Sequence, residues 1–158
     1  MKILIISDTH GNLSNVTKIL KSIKNVNRII HLGDNEKDAE ELDVLYNIPI
    51  DYVPGNCDFN SYAPSEKILT LNGVRILITH GHYYNVKWEY DTIAKTAQDK
   101  KVDIVLFGHT HVALQKNIKE ITLINPGSIS LPRDGKRPSF AVLEIDADKK
   151  IHITIKKI

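Results

Sequence analysis

Lys2-Ile3-Leu4-Ile5-Ile6-Ser7-Asp8-Thr9-His10-Gly11-Asn12 begins as an almost unbroken apolar run and ends in an abrupt polar turn. The run from Lys2 to Ile6 predicts a strand buried on both faces, as in a sheet covered by helices. Asp8 and His10 stand two apart, so on an extended tail both side chains point to the same side. A carboxylate and an imidazole converging there make half a metal site. In α/β sheets such sites lie just beyond the carboxyl ends of strands. Alone, Asp-x-His is more often a surface turn, and the rest of the chain decides the balance.

Two more strands of the same kind follow. Leu13, Val16, Ile19, Leu20 and Ile23 form a helical stripe that Asn12 or Ser14 could cap. Arg28 to Leu32 predicts a second buried strand, ending in Gly33-Asp34. Glu36 to Leu45 reads as a short acidic helix, and Ile50 to Val53 as a third strand that runs into Pro54-Gly55-Asn56-Cys57-Asp58. The second half changes character. Lys67–Leu71 and Val74–Thr79 flank Asn72-Gly73, a strong hairpin signal. The second of these strands enters His80-Gly81-His82. A helix is expected from about Val86 to Lys100, then a strand from Asp103 to Phe107 that closes in Gly108-His109-Thr110-His111. Strands at Val112–Ile118, Ile121–Ile124, Ser139–Ile145 and Ile151–Ile155 complete the chain. The order predicts an α/β fold of two sheets packed face to face with helices outside. No internal repeat, linker or low-complexity tract interrupts it, so residues 1–158 are expected to form one domain.

The chain of 158 residues is long enough to bury roughly two-thirds of its unfolded surface. Its formal net charge of +2 points to no partner class, and no Lys/Arg-rich run marks a nucleic-acid surface. No window approaches the ~18 apolar residues of a membrane helix. The amino terminus lacks a signal-peptide layout, since its apolar run breaks at Ser7-Asp8. Cys57 is the one cysteine, which excludes an intrachain disulfide. A cytoplasmic protein is the expectation.

Five of the seven histidines fall in three clusters at strand ends, and Asp8, Asp34 and Asn56 take the equivalent place on other strands. Burying so many polar groups without a shared partner would cost ~1–3 kcal/mol for each unsatisfied group. A bound cation removes that difficulty. Two carboxylates, one amide and the imidazoles of His10, His80, His109 and His111 are too many for one closed tetrahedral ion. They suit two ions ~3.5–4 Å apart, bridged by a carboxylate. Mixed oxygen and nitrogen donors point to manganese, with nickel, iron or zinc as alternatives. Two dications outweigh two aspartates, and the residual positive charge would attract a phosphate.

Asp8-Thr9-His10, Gly33-Asp34, Gly55-Asn56-Cys57-Asp58, Thr79-His80-Gly81-His82 and Gly108-His109-Thr110-His111 resemble, in order and spacing, the five blocks of the calcineurin-like metallophosphoesterase superfamily. Asn125-Pro126-Gly127-Ser128 followed by Pro132-Arg133 is similar to its small, cap-less bacterial and archaeal phosphodiesterase branch. The likeness runs from Ile3 to about Glu144. It implies a four-layer αββα sandwich of two mixed β-sheets flanked by helices. It puts Asp8, His10 and His111 on one metal, Asn56, His80 and His109 on the other, and Asp34 between them. The implied reaction is in-line attack of a metal-bound hydroxide on a small phosphodiester.

The sequence departs from the superfamily at Cys57, where many phosphomonoesterases carry a histidine that protonates the leaving group. A thiol beside cations tends to ionise and cannot donate, so Cys57 reads first as a small buried residue. His82 and Asp58 are the candidate catalytic groups. His82 either supplies the missing proton or supports the metals, and Asp58 either bonds a ligand or caps the next turn. His31 either orients Asp34 or packs beneath it. Tyr83, Tyr84 and Trp88 either wall a pocket for a base or aryl group or pack helix against sheet. Arg133 either meets a phosphate or makes a surface salt bridge. A phosphomonoesterase is the runner-up. A non-catalytic scaffold similar to the small retromer subunit is a third reading, which the complete set of seven donors disfavours. The oligomeric state stays open, a homo-oligomer included.

Overall fold

In the computed structural model, which describes residues 1–158, β1 (Lys2–Ile6) divides its side chains between two cores. Ile3 and Ile5 face the other sheet, while Leu4 and Ile6 face helices. This is the period-two alternation of a strand covered on both sides, and it sets the layering of the whole chain.

The first sheet has the order β10-β9-β1-β2-β3. β1, β2 (Arg28–His31) and β3 (Ile50–Tyr52) are parallel, β9 (Ser139–Ile145) runs antiparallel to β1, and β10 (Ile151–Lys157) runs antiparallel to β9. The second sheet has the order β4-β5-β6-β8-β7. Its parallel centre is β5 (Val74–Thr79), β6 (Ile104–Leu106) and β8 (Ile121–Pro126), flanked by β4 (Glu66–Leu71) and β7 (Ala113–Ile118). Between the sheets lies an aliphatic core that includes Ile30, Ile76, Leu106, Ile124 and Leu143. The helices α1 (Ser14–Ser22) and α2 (Glu36–Leu45) cover the first sheet through Val16, Ile19 and Leu42. The helix α3 (Asp91–Asp99) covers the second through Ile93 and Ala97. The fold is therefore the expected α/β sandwich of two mixed sheets between helices. No helix is long and apolar enough to cross a membrane.

Several boundaries differ from the sequence reading, for local reasons. α3 starts at Asp91 and not near Val86. Asn85 sits in the left-handed region (φ 55°), and the Glu89 carboxylate accepts the Asp91 and Thr92 N–H groups that open the helix. Residues 82–84 form a separate single 3₁₀ turn. Neither Asn12 nor Ser14 caps α1 from its side chain: Ser14 is the first helical residue, and Asn12 Oδ1 accepts the Ser14 N–H from outside the helix. β10 runs on to Lys157 because it pairs with β9 along its full length.

Leu143 is fully buried between the sheets and distant in sequence from every strand-end cluster, whereas Ile151 is partly exposed on an edge strand. Leu143→Ala should cost about 2–5 kcal/mol in urea unfolding, and Ile151→Ala less than about 1 kcal/mol. Equal losses would place the main core elsewhere.

Candidate metal centre

Parallel strands end on the same edge, and here both sheets bring their carboxyl ends to one place. The tails are zipped by main-chain bonds: Asp8 N–H to Gly33 O (3.0 Å), His10 N–H to Asp34 O (3.3 Å) and Gly108 N–H to His80 O (3.0 Å). Five of the seven proposed ligands, Asp8, His10, Asp34, His109 and His111, lie at positive φ between 48° and 67°. Asp and His tolerate this region better than most residues, but each such position still costs of order 1–3 kcal/mol. The tails also approach too closely for side chains at two glycines. A Cβ at Gly55 would stand 2.1 Å from Asp34 Oδ1, and one at Gly108 would stand 1.9 Å from Ser7 Oγ.

The side chains fall into two halves that share Asp34. In one, His111 Nε2 lies 3.2 Å from Asp8 Oδ1 and 3.3 Å from His10 Nε2, and His10 Nε2 lies 3.7 Å from Asp34 Oδ2. One atom from each of Asp8, His10, Asp34 and His111 fits within a 4.8 Å span. In the other half, His80 Nε2 is 3.4 Å from Asp34 Oδ1 and 3.2 Å from Asn56 Oδ1, with the His109 ring 5.1 Å away. Asp8, Asp34, His80 and His111 are buried, His10 and His109 partly so, and Asn56 is exposed. The surface cavities, of 280–380 Å³, are all lined by other residues.

Two hydrogen bonds determine what this arrangement can do. His80 Nδ1 lies 2.7 Å from the Leu32 carbonyl and His111 Nδ1 lies 2.6 Å from the Leu131 carbonyl. A carbonyl only accepts, so each Nδ1 carries a proton, and Nε2 is the nitrogen that each ring turns inward. Those Nε2 atoms meet the oxygens of Asp34, Asn56 and Asp8, so nitrogen and oxygen donors converge on one place. Both Asp8 carboxylate oxygens are buried without a hydrogen-bond partner. A cation that displaces the Nε2 protons would complete such a set. The residues therefore fit divalent metal ions.

Burial alone would raise the Asp8 carboxyl, but the adjacent His111 and then His80 outweigh it and hold it below its usual range. Burial alone would lower His111, but Asp8 outweighs it and raises that imidazole, so without metal the two favour each other's charged form. His109 is pushed down to about 4, by burial first and then by His80, which favours the neutral ring that a metal needs.

The surrounding residues brace the loops. Buried His31 accepts the Gly33 N–H at Nδ1 (3.2 Å), so its Nε2–H donates to Thr9 Oγ1 (2.9 Å), which in turn donates to Asp34 O (3.3 Å). His31 thus orients the Asp8 and Asp34 loops together. Asp58 spends both oxygens on backbone, accepting from Asn35 and Glu36 at the start of α2 and from Gly55. Cys57 is exposed, against the expectation of a buried residue, and its backbone N–H donates to Asp34 Oδ1 (3.0 Å). Exposed Arg133 makes no salt bridge, unlike the surface pair weighed for it. His82 lies 5.3 Å ring to ring from His80, and burial followed by the charge of His80 lowers it.

Other braces had no reading in the sequence. Ser128 and Ser130 hydroxyls both donate to the Asp8 carbonyl (2.8 and 2.9 Å), and the Asn125 amide donates to Gly108 O (2.7 Å). Asp38, on α2, accepts the Gly11 N–H (2.9 Å). The one sequence signal for the first three is the Asn125-Pro126-Gly127-Ser128 turn at the end of β8.

Comparison with known proteins gives one consistent result. Residues 1–148 match the calcineurin-like phosphoesterase superfamily domain. The chain is 36% identical over 149 residues to the probable metallophosphoesterase YsnB of Bacillus subtilis, covering 94% of this chain and 86% of that one. A conserved protein of Streptococcus pneumoniae TIGR4, described as a predicted phosphoesterase, has a crystal structure that superposes with TM-score 0.79 at 26% identity, covering 99% of this chain and 97% of that one. A novel archaeal phosphodiesterase superposes with TM-score 0.76 at 25% identity, covering 99% and 100%.

Asp8 and His111 favour each other's charged form, so Asp8→Asn should lower the stability of the metal-free protein by about 1–3 kcal/mol in urea unfolding at neutral pH, a loss that shrinks as pH falls through the carboxylate range. Added manganese should raise the melting temperature of the parent and leave that of the variant nearly unchanged. A metal-free variant more stable than its parent would contradict this account.

Proposed function

This chain belongs to the calcineurin-like phosphoesterase superfamily, and from that premise we propose that it hydrolyses small phosphate diesters at a pair of divalent metal ions. One observation supports the reading: carbonyls hold His80 and His111 at Nδ1, so that both turn Nε2 to an aspartate oxygen, where a divalent ion would take the place of a proton. Asp8, His10 and His111 would hold one ion, Asn56, His80 and His109 the other, and Asp34 would be shared, Oδ2 facing His10 and Oδ1 facing His80. Manganese is the first choice, with nickel, iron and zinc behind it.

When bound, such ions activate water and offset the negative charge that gathers on the phosphoryl oxygens. The chain supplies the geometry. The Cys57 N–H and the Thr9–His31 pair hold Asp34 in place from two sides. Unpaired Arg133, whose backbone N–H bonds His111 O, is our candidate for binding a phosphate oxygen. His82 stands beside His80 and His109 and is our candidate for hydrogen bonding to the leaving oxygen. Asp58 acts as a brace, since its oxygens are already occupied. With a cysteine in place of the imidazole that follows the motif asparagine, leaving groups that depart without a proton are favoured, which is the basis for choosing diesters over monoesters.

Metal-stripped protein should be inactive on bis(p-nitrophenyl) phosphate and recover with manganese, binding close to two equivalents by elemental analysis. Saturation at one equivalent would sink the binuclear reading, and full activity without metal would sink the metal reading altogether. Asp34→Asn weakens both halves and should lower turnover at least ~100-fold, with loss of both ions. Asn56→Ala removes one neutral donor and should cost about tenfold. The opposite ranking would remove Asp34 from its shared position.

A further inference from the structure

The ten aromatic side chains are distributed unevenly. Most pack within the layers, but Phe59, Tyr62, Tyr83 and Trp88 are strongly exposed. All four lie on two segments, the one that follows Asn56 and the one that follows His80. Large exposed aromatics gathered beside a site are unusual on a surface that has no task for them.

Tyr83 is the best placed. Its ring is 74% exposed and lies 4.0 Å, centroid to centroid, from His82, whose ring is 5.3 Å from His80 and 6.0 Å from His109. The turn that carries it is pinned on both sides. Tyr84, weighed with it as a pocket wall, instead packs inward. It bonds Gly81 O through its N–H and Glu66 through its hydroxyl, and Val86 is buried in the core under α3. With its neighbours anchored, Tyr83 is held outward in a fixed place, so a ligand ring would meet a surface already ordered.

We propose that Tyr83 is a stacking platform for a planar aromatic group, an aryl ring or a nucleobase, on one ester arm of the substrate. This rests on the phosphoesterase reading of the neighbouring cluster and names the substrate class that the site prefers. Aromatic faces stack on any base or aryl ring, whereas a methyl or bare sugar ester offers no such face. Tyr83 therefore selects for the ring and leaves the phosphoryl group to the metal-binding residues.

The test is calorimetric binding to manganese-loaded protein, with ligands compared in pairs that differ only by the ring. Phenylphosphonate should bind about tenfold more tightly than methylphosphonate, or thymidine 5′-monophosphate about tenfold more tightly than 2-deoxyribose 5-phosphate. The pair that shows the gap identifies the ring as aryl or nucleobase. Tyr83→Ala should collapse that ratio toward one, and Tyr83→Phe, which keeps the ring, should retain it. Equal affinities within both pairs, or a gap that survives Tyr83→Ala, would overturn the platform while leaving the phosphoesterase reading intact. Failure of all four ligands to bind would overturn the platform, while the phosphoesterase reading stands or falls separately on manganese-dependent turnover of bis(p-nitrophenyl) phosphate.

Discussion

The candidate site depends on two hydrogen bonds to main-chain carbonyls. His80 gives its Nδ1 proton to the Leu32 carbonyl beyond β2, which ties the second sheet to the first, and His111 gives its own to the Leu131 carbonyl in the connection from β8 to β9. Each bond fixes which nitrogen of the ring faces the cluster. Both rings turn Nε2 toward aspartate oxygens, where a proton or a cation must stand between nitrogen and oxygen. The edge is built for positive charge.

That arrangement carries a cost in stability. Five donor residues hold left-handed backbone, Asp8 is buried without a donor, and two glycines allow approaches that no other residue could. The cost is tolerated because the rest of the chain is regular. Three aliphatic cores, one between the sheets and one under each helical layer, hold the strands whose ends are strained. The braces around the edge are mostly bonds to backbone. Ser128 and Ser130 reach the Asp8 carbonyl, Asn125 reaches Gly108 O, and Asp58 holds the start of α2 against Gly55. They fix loops and not side chains, which suits donors delivered by turns.

The same edge separates two tasks in space. The buried donors form the floor, while the exposed aromatics rise on the two segments beside it. Tyr83 shows how one short turn serves both: Gly81 and Tyr84 anchor it, His82 joins the histidine cluster, and Tyr83 is left facing solvent. In the functions proposed above, phosphoryl chemistry and recognition of the rest of a substrate fall to different residues of one loop.

Much of this was legible in the order of residues. The unbroken apolar run of Lys2–Ile6 announced a strand covered on both faces, and the polar clusters after successive strands marked the edge where ligands gather. Parallel strands must end together, so the clusters had to meet if the strands paired in parallel. Local pattern was weaker at element boundaries, as at Val86–Tyr90, which reads as the first turn of a helix that opens only at Asp91, where Glu89 accepts the leading N–H groups. It was weakest where the decisive partner is main chain. Leu32 and Leu131 offer carbonyls, a group every residue has, so nothing in the sequence marks them as the atoms that set which nitrogen of each ring faces the cluster. Nor could it separate exposed Tyr83 from packed Tyr84, neighbours of the same type that differ only in which way a pinned turn aims them. The sequence determined which donors exist and which strand brings each one. Tertiary structure alone decided which of their atoms face one another, because that depends on atoms brought together across two sheets.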